Sequence, residues 1–276
     1  MNASAGIFLL IALTVVPGCR GTLLGRSSAK PGDNAPKTQS EQHVPADKAS
    51  SPRPGLTTLR FSGYDWIVKS SKDRVGPGPN YFSDDKHSVF VDDRGRLHLL
   101  ITHRDGHWYC AEVISTNSFG YGTYRFELEG NIDKLDPQIV LGMFTWNDAA
   151  PYNHREIDIE VSRWGQDNNQ NAQFVVQPYT RVQNIVRFQI PAGLSSSIHS
   201  FTWTPNSVFC QSVTDIGTNA GDASQVVQRH TFTHDVPQAG GENARINLWL
   251  MAGRAPNDGR DAEIIIRKFE FTALQP

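Results

Sequence analysis

The chain has 276 residues, 38% of them hydrophobic and 20% charged, with a formal net charge of −2. That length allows one large domain or two small ones, and a near-neutral balance without long single-sign runs gives no footing to nucleic acid or an anionic surface as partner. Aromatic residues at 10%, six Trp, 23 Gly and 16 Pro favour a turn-rich β protein with ring surfaces for stacking.

Gly6 to Val16 is an unbroken run of apolar and small residues. It is too short for a comfortable membrane-spanning helix and suits the core of an export signal. It ends in Val16-Pro17-Gly18-Cys19, which resembles the bacterial lipoprotein box, where Cys19 would be lipidated and become the mature N-terminus. Pro17 and the lack of Lys or Arg before the apolar run depart from that pattern. An ordinary exported or N-terminally anchored protein is therefore the alternative. Residues 20–55 are rich in Ser, Pro, Lys, Asp and Gln with almost no large apolar side chains, so they read as a tether between the signal (1–19) and a folded domain (56–276).

From Leu56 onward, short alternating segments are broken by turn residues every ten or so positions. Leu59 to Phe61 and Trp66 to Val68 read as strands, and Val75 to Tyr81, with two Pro and two Gly, reads as a loop. Ser88 to Val91 and Arg96 to Thr102 flank Asp92-Asp93-Arg94-Gly95 as a hairpin, with Leu97, Leu99 and Ile101 facing the core. Trp108 to Ser115 and Gly122 to Glu129 follow, then Ile139 to Trp146, apolar enough to be central. After an acidic segment come Ala172 to Gln177, Asn184 to Ile190, Ser200 to Thr204, Val208 to Val213, Val226 to Thr231, Ala244 to Leu250 and Glu263 to Phe271. With no amphipathic helix of ordinary length, this pattern predicts an all-β fold, a two-sheet β-sandwich. Cys110 and Cys210 lie in apolar runs; they could form a disulfide in an exported protein or stay as buried thiols.

The acidic segment is His154-Arg155-Glu156-Ile157-Asp158-Ile159-Glu160. Read as a strand, it puts His154, Glu156, Asp158 and Glu160 on one face and Ile157, Ile159 and Val161 on the other. Like charges side by side on a strand carry a stability cost. The outer Glu residues, roughly 13 Å apart at Cα, can lean to the roughly 5–5.5 Å carboxyl separation of a retaining glycosidase. One would then attack the anomeric carbon while the other protonates the leaving oxygen. Taken alone, so short a motif reads more simply as a solvated strand face. A metal site of His154 with the carboxylates is a further option, although no second His lies at ligand spacing.

The wider chain resembles glycoside hydrolase family 16, whose signature is Glu-Ile-Asp-x-Glu. Glu112 to Tyr124, containing Ser115-Thr116-Asn117 and Gly120-Tyr121-Gly122, looks like the corresponding segment of lichenase-type members. Phe144-Thr145-Trp146, Ala172-Gln173-Phe174, His199 to Trp203 and Ile246-Asn247-Leu248-Trp249 resemble the family's flanking strands, in the same order. The resemblance implies a concanavalin A-like jelly roll and a β-glucanase-like, retaining, endo-acting hydrolase of a β-linked polysaccharide. It implies Glu156 as nucleophile, Asp158 as its helper and Glu160 as acid/base. Because one residue separates Asp158 from Glu160, it points to the lichenase and xyloglucan-active subgroup, whose strand has no bulge. Glu112, Phe144, Trp146, His154, Trp164, Gln173 and Trp249 become the implied substrate contacts, with aromatic faces suited to the C–H faces of sugars.

His154, Ile114, Val175 and Gln177 stand where lichenases often carry Trp, Arg, Asn and Tyr, so the implied polysaccharide need not be theirs. No catalytic cofactor is implied, and no loop demands the structural calcium that some family likeness would allow. The expected partner is a polysaccharide, met by an exported monomer that touches a membrane only through a lipid anchor. A transglycosylase using the same residues and a non-catalytic sugar-binding sandwich are the competing readings.

Overall fold

The computed structural model describes residues 55–214 and 225–275. The expected signal, Cys19 and residues 20–54 of the tether lie outside them. Within the described residues the alternating segments form sixteen strands: β1 (Thr58–Phe61), β2 (Tyr64–Val68), β3 (Tyr81–Phe82), β4 (Val89–Val91), β5 (Leu97–Arg104), β6 (His107–Ser118), β7 (Gly122–Glu129), β8 (Ile139–Trp146), β9 (Ile157–Val161), β10 (Ala172–Val176), β11 (Ile185–Phe188), β12 (Ser196–Trp203), β13 (Val208–Thr214), β14 (Val226–Phe232), β15 (Asn243–Leu250) and β16 (Ala262–Ala273). The helical elements among these residues are short turns of three residues each.

Antiparallel pairing orders one sheet β11-β10-β9-β8-β15-β6-β2-β1. The other runs β4-β5-β16-β7-β12-β13-β14. They are joined where the first residues of β6 pair with the end of β5. The turn there is Asp105-Gly106, both at positive φ (50° and 76°), the backbone that a tight hairpin following the strand twist requires.

Each sheet turns its apolar alternates inward, which is what the period of two in the sequence prepares. Val113, Ile246, Met143, Ile159 and Phe174 from the first sheet meet Leu99, Tyr124, Phe126, Phe201 and Ile266 from the second in one continuous core. At one edge Trp66 sets its ring against Phe269, 5.2 Å between centroids and nearly perpendicular at 85°, a favourable edge-to-face geometry.

One sequence expectation needs adjusting and one open alternative is decided. The segment Val75 to Tyr81 is not wholly irregular: Val75 bridges to Asn80, and Tyr81 opens β3, which lies parallel to β6. The two thiols are free and buried. Burial pushes Cys110 up to about 12 and Cys210 higher still, so neither supplies a thiolate nucleophile.

Ile159 is fully buried on the core side of β9. Replacing it with Ala should cost about 2–5 kcal/mol, through lost transfer energy and the cavity left behind. Urea denaturation would measure this, and a loss under about 1 kcal/mol would mean that β9 is not anchored by its apolar face.

Candidate active site

Strand register assembles the site from separated parts of the chain. On β9, Glu160 stands opposite Gly142 of β8 and Gln173 of β10. Gly142 in turn faces Asn247 of β15, which faces Glu112 of β6. Directly opposed residues share a face, so these side chains form one row across the sheet. The next row holds Val175, Asp158, Phe144 and Arg245. Both rows lie on the face away from Ile157, Ile159 and Val161, which are buried in the core. A Cβ on Gly142 would come within 2.5 Å of Asn247 Oδ1, so the missing side chain is what lets the Asn247 amide lie against β8.

Glu156 directly precedes β9 with extended backbone (φ −84°, ψ 123°). His154 is not on the strand face as expected. Tyr152, Asn153, His154 and Arg155 all adopt positive φ (56°, 50°, 60° and 56°), a left-handed turn that costs non-glycine residues about 1–2 kcal/mol each. Hydrogen bonds hold this turn in place. Arg155 Nε donates to the Gln238 carbonyl at 2.8 Å, Tyr152 Oη donates to Gln238 Oε1 at 2.7 Å, and Thr145 Oγ1 donates to the Arg155 carbonyl at 2.8 Å. The turn lays the His154 ring flat on Trp146, 4.1 Å apart and within 5° of parallel, while Nδ1 donates to the Asn147 carbonyl at 2.8 Å. His154 thus reaches the site through a turn and not through strand alternation.

The three acids are crowded together, Asp158 buried and Glu156 and Glu160 half-buried. Burial, followed by the charges of Glu156 and Glu160, lifts Asp158 well above the usual carboxylate range. Gln177 Nε2, donating to Asp158 Oδ2 at 3.1 Å, pulls the other way. Asp158 also hydrogen-bonds Glu156 in the sense that favours a proton on Asp158 and charge on Glu156. Burial and then the Glu160 charge push Glu156 up to about 8, opposed by Asp158 and by Arg245. Glu160 is raised by burial, opposed by the Gln173 amide that donates to it and by Arg187. The cluster can therefore keep a proton at neutral pH, as a general acid must.

Several expected contacts take up different work. Glu112 is 1% exposed, and its two oxygens are engaged by Lys69 at 2.7 Å and Arg245 at 3.3 Å. What it can offer a sugar passes through those cations. Gln173 holds Glu160, leaving its own Oε1 buried without a partner among the described residues. Phe144 and Trp249 sit on the acid-bearing face by register, yet little of either ring is exposed. Trp146 is more open, and its Nε1 donates to Asp148 Oδ1 at 3.1 Å. Trp164, in the loop after β9, is buried beneath Arg187, whose Cζ lies 4.6 Å from the ring centroid.

Sequence reasoning missed Lys69, Arg187 and Arg245. Arg245 had a readable signal, a lone cation inside the apolar run Ala244 to Leu250. It binds Asp148 at 3.1 Å as well as Glu112. Among the described residues no three His, Cys, Asp or Glu side chains converge as a side-chain metal site would.

No protein-family model matches the sequence, and no curated protein does. Solved structures do match. A β-glucanase of Bacillus licheniformis is 22% identical, with a TM-score of 0.56 over 80% of this chain and 99% of that one. A β-1,3-1,4-glucanase (lichenase) from a mouse hindgut metagenome is 21% identical, with a TM-score of 0.53 over 79% and 99%. An immunostimulatory antigen and pseudo β-1,3-glucanase of Mycobacterium tuberculosis is 17% identical, with a TM-score of 0.56 over 76% and 91%. At these identities the likeness establishes the jelly-roll fold.

Because Glu156 keeps its proton up to about 8 when folded, against an ordinary value of 4.5, ionising it opposes folding. Its contribution is fully present below pH 4.5 and is lost as pH rises through about 8. Glu156→Gln should therefore gain melting temperature over the parent progressively from pH 5 to pH 9. Thermal melts across that range that leave a constant difference would show that Glu156 is not desolvated.

Proposed function

We propose that this protein is a retaining, endo-acting hydrolase of a β-linked polysaccharide. The observation that carries the reading is the row Glu156, Asp158 and Glu160 on the outer face of a jelly roll of the kind found in β-glucanases. The charge on Glu160 raises Glu156, so the two carboxyls act on each other across the intervening Asp158, and the retaining mechanism is inferred from the family resemblance of this Glu-x-Asp-x-Glu segment. In the proposed reaction a Glu156 oxygen attacks the anomeric carbon while Glu160 gives its proton to the departing glycosidic oxygen. The resulting glycosyl ester is hydrolysed when Glu160, now ionised, takes a proton from water and the water oxygen attacks the same carbon. Asp158, holding a proton, donates to Glu156 and so orients it and favours its charged form. The Trp146–His154 stack offers a flat platform for a sugar ring.

Membership of glycoside hydrolase family 16, in the subgroup without a strand bulge, is part of this proposal. It is supported by unbroken register between β9 and both neighbours, from Leu141 opposite Val161 to Thr145 opposite Ile157 on one side. Export, lipid anchoring at Cys19 and action as a monomer on external polysaccharide belong to it too, on the sequence alone. Transfer to a sugar acceptor would use the same glycosyl ester. A non-catalytic sugar-binding role is the second reading, and the likeness to a pseudo β-1,3-glucanase is what favours it. Both Glu residues and the Asp are present here, which favours the enzyme.

Glu156→Ala should abolish turnover across lichenan, laminarin and xyloglucan, and added azide should restore part of it by replacing the lost nucleophile. Glu160→Gln should lower the rate on natural polysaccharide by at least about a hundredfold. Product analysis by reducing-end assay and chromatography would test this. Unchanged rates in either variant, or binding of these polysaccharides by the wild type without cleavage, would remove the hydrolase reading.

A further inference from the structure

Arg187 on β11 stands opposite Gln173, which stands opposite Glu160. The three side chains therefore occupy neighbouring places in one row on the acid-bearing face. The Arg187 guanidinium lies over Trp164, with Cζ 4.6 Å from the ring centroid, a contact that favours the cation there and covers one side of it. The other cations of this face are already matched: Lys69 and Arg245 hold Glu112, and Arg245 also holds Asp148. The Arg187 side chain makes no ion pair and no hydrogen bond among the described residues; the charge it senses is that of Glu160, which is itself held by Gln173.

The half-buried guanidinium has N–H groups with no acceptor among the described residues and open to a ligand, and its planar fork suits the paired oxygens of a carboxylate or sulfate. A neutral hydroxyl would satisfy one N–H and leave the charge unmatched. We propose that Arg187, braced by Trp164, binds an anionic substituent, a carboxylate or a sulfate ester, on the sugar unit beside Glu160, so that the favoured ligand is an acidic β-linked polysaccharide. This rests on the reading of the acid row as a sugar site and narrows its substrate class.

The test uses the full-length Glu156→Gln protein, so that ligand is bound and not consumed, and isothermal titration with three ligands on one backbone. These are a neutral β-glucan oligosaccharide, its C6-oxidised uronate form and its sulfated form. The expected result is at least about tenfold tighter binding of one acidic form than of the neutral one, with the preferred form telling carboxylate from sulfate. Arg187→Gln in the same protein should erase the preference, and Arg187→Lys should keep part of it. Raising the salt concentration should erode it as well, a readout independent of whether Arg187→Gln folds. Equal affinities for all three ligands, or a preference that survives Arg187→Gln, would overturn the inference. Cleavage of neutral glucan by the wild type without any acidic preference would leave the hydrolase reading standing and this one lost. Acidic preference in a wild type that cleaves nothing would do the reverse, and binding of none of the three would remove both.

Discussion

Everything at the site follows from one electrostatic difficulty, three carboxyls crowded together at and just before one strand, Asp158 buried and Glu156 and Glu160 half-buried. Glu156, Asp158 and Glu160 cannot all be charged in that setting, because each charge raises the free energy of the next. The structure resolves the difficulty locally. Asp158 keeps a proton and donates to Glu156, Gln177 and Gln173 donate to Asp158 and Glu160, and Arg245 and Arg187 supply opposing charge from either side. What remains is an arrangement in which protons and a negative charge share one cluster at neutral pH; attack by Glu156 needs the charge on Glu156 and a proton on Glu160, the distribution that the Asp158 hydrogen bond and Arg245 favour at Glu156.

Holding the acids there is the task of the other face of the same strand. Ile157, Ile159 and Val161 are sealed into the core between the sheets, so β9 cannot slip by one residue without exchanging its acids for its aliphatics. Around it the cations form a connected system. Lys69 and Arg245 meet on Glu112, and Arg245 extends to Asp148 next to Trp146. A buried system of this kind is weak evidence for stability in itself. Its consequence here is placement, since it keeps a guanidinium near Glu156 and ties β6 to β15.

The left-handed turn at Tyr152 to Arg155 is the other device that shapes the site. Four consecutive positive φ values in ordinary residues persist only where the surroundings over-determine them. The bonds to Gln238 and Thr145 supply that constraint, and the outcome is the parallel stack of His154 on Trp146.

Much of this was legible in the residues themselves. The alternation of Ile157, Ile159 and Val161 with acids, the hairpin around Asp92 to Gly95 and the apolar run Ile139 to Trp146 follow from a period of two and from turn chemistry, which are local properties of the chain. So did the two sheets and the face on which the acids stand. What local pattern could not reveal is which residues of other strands come opposite the acids, because register between distant strands depends on how the whole core closes. Only the folded molecule decided that Glu112 is consumed by Lys69 and Arg245, that Gln173 serves Glu160, that His154 arrives through a left-handed turn, and that Arg187 stands across Gln173 from Glu160 with no ion pair among the described residues. Strand alternation is written in neighbouring residues, whereas ion pairing and desolvation arise between residues far apart in the chain, and those exist only once the sheets have packed.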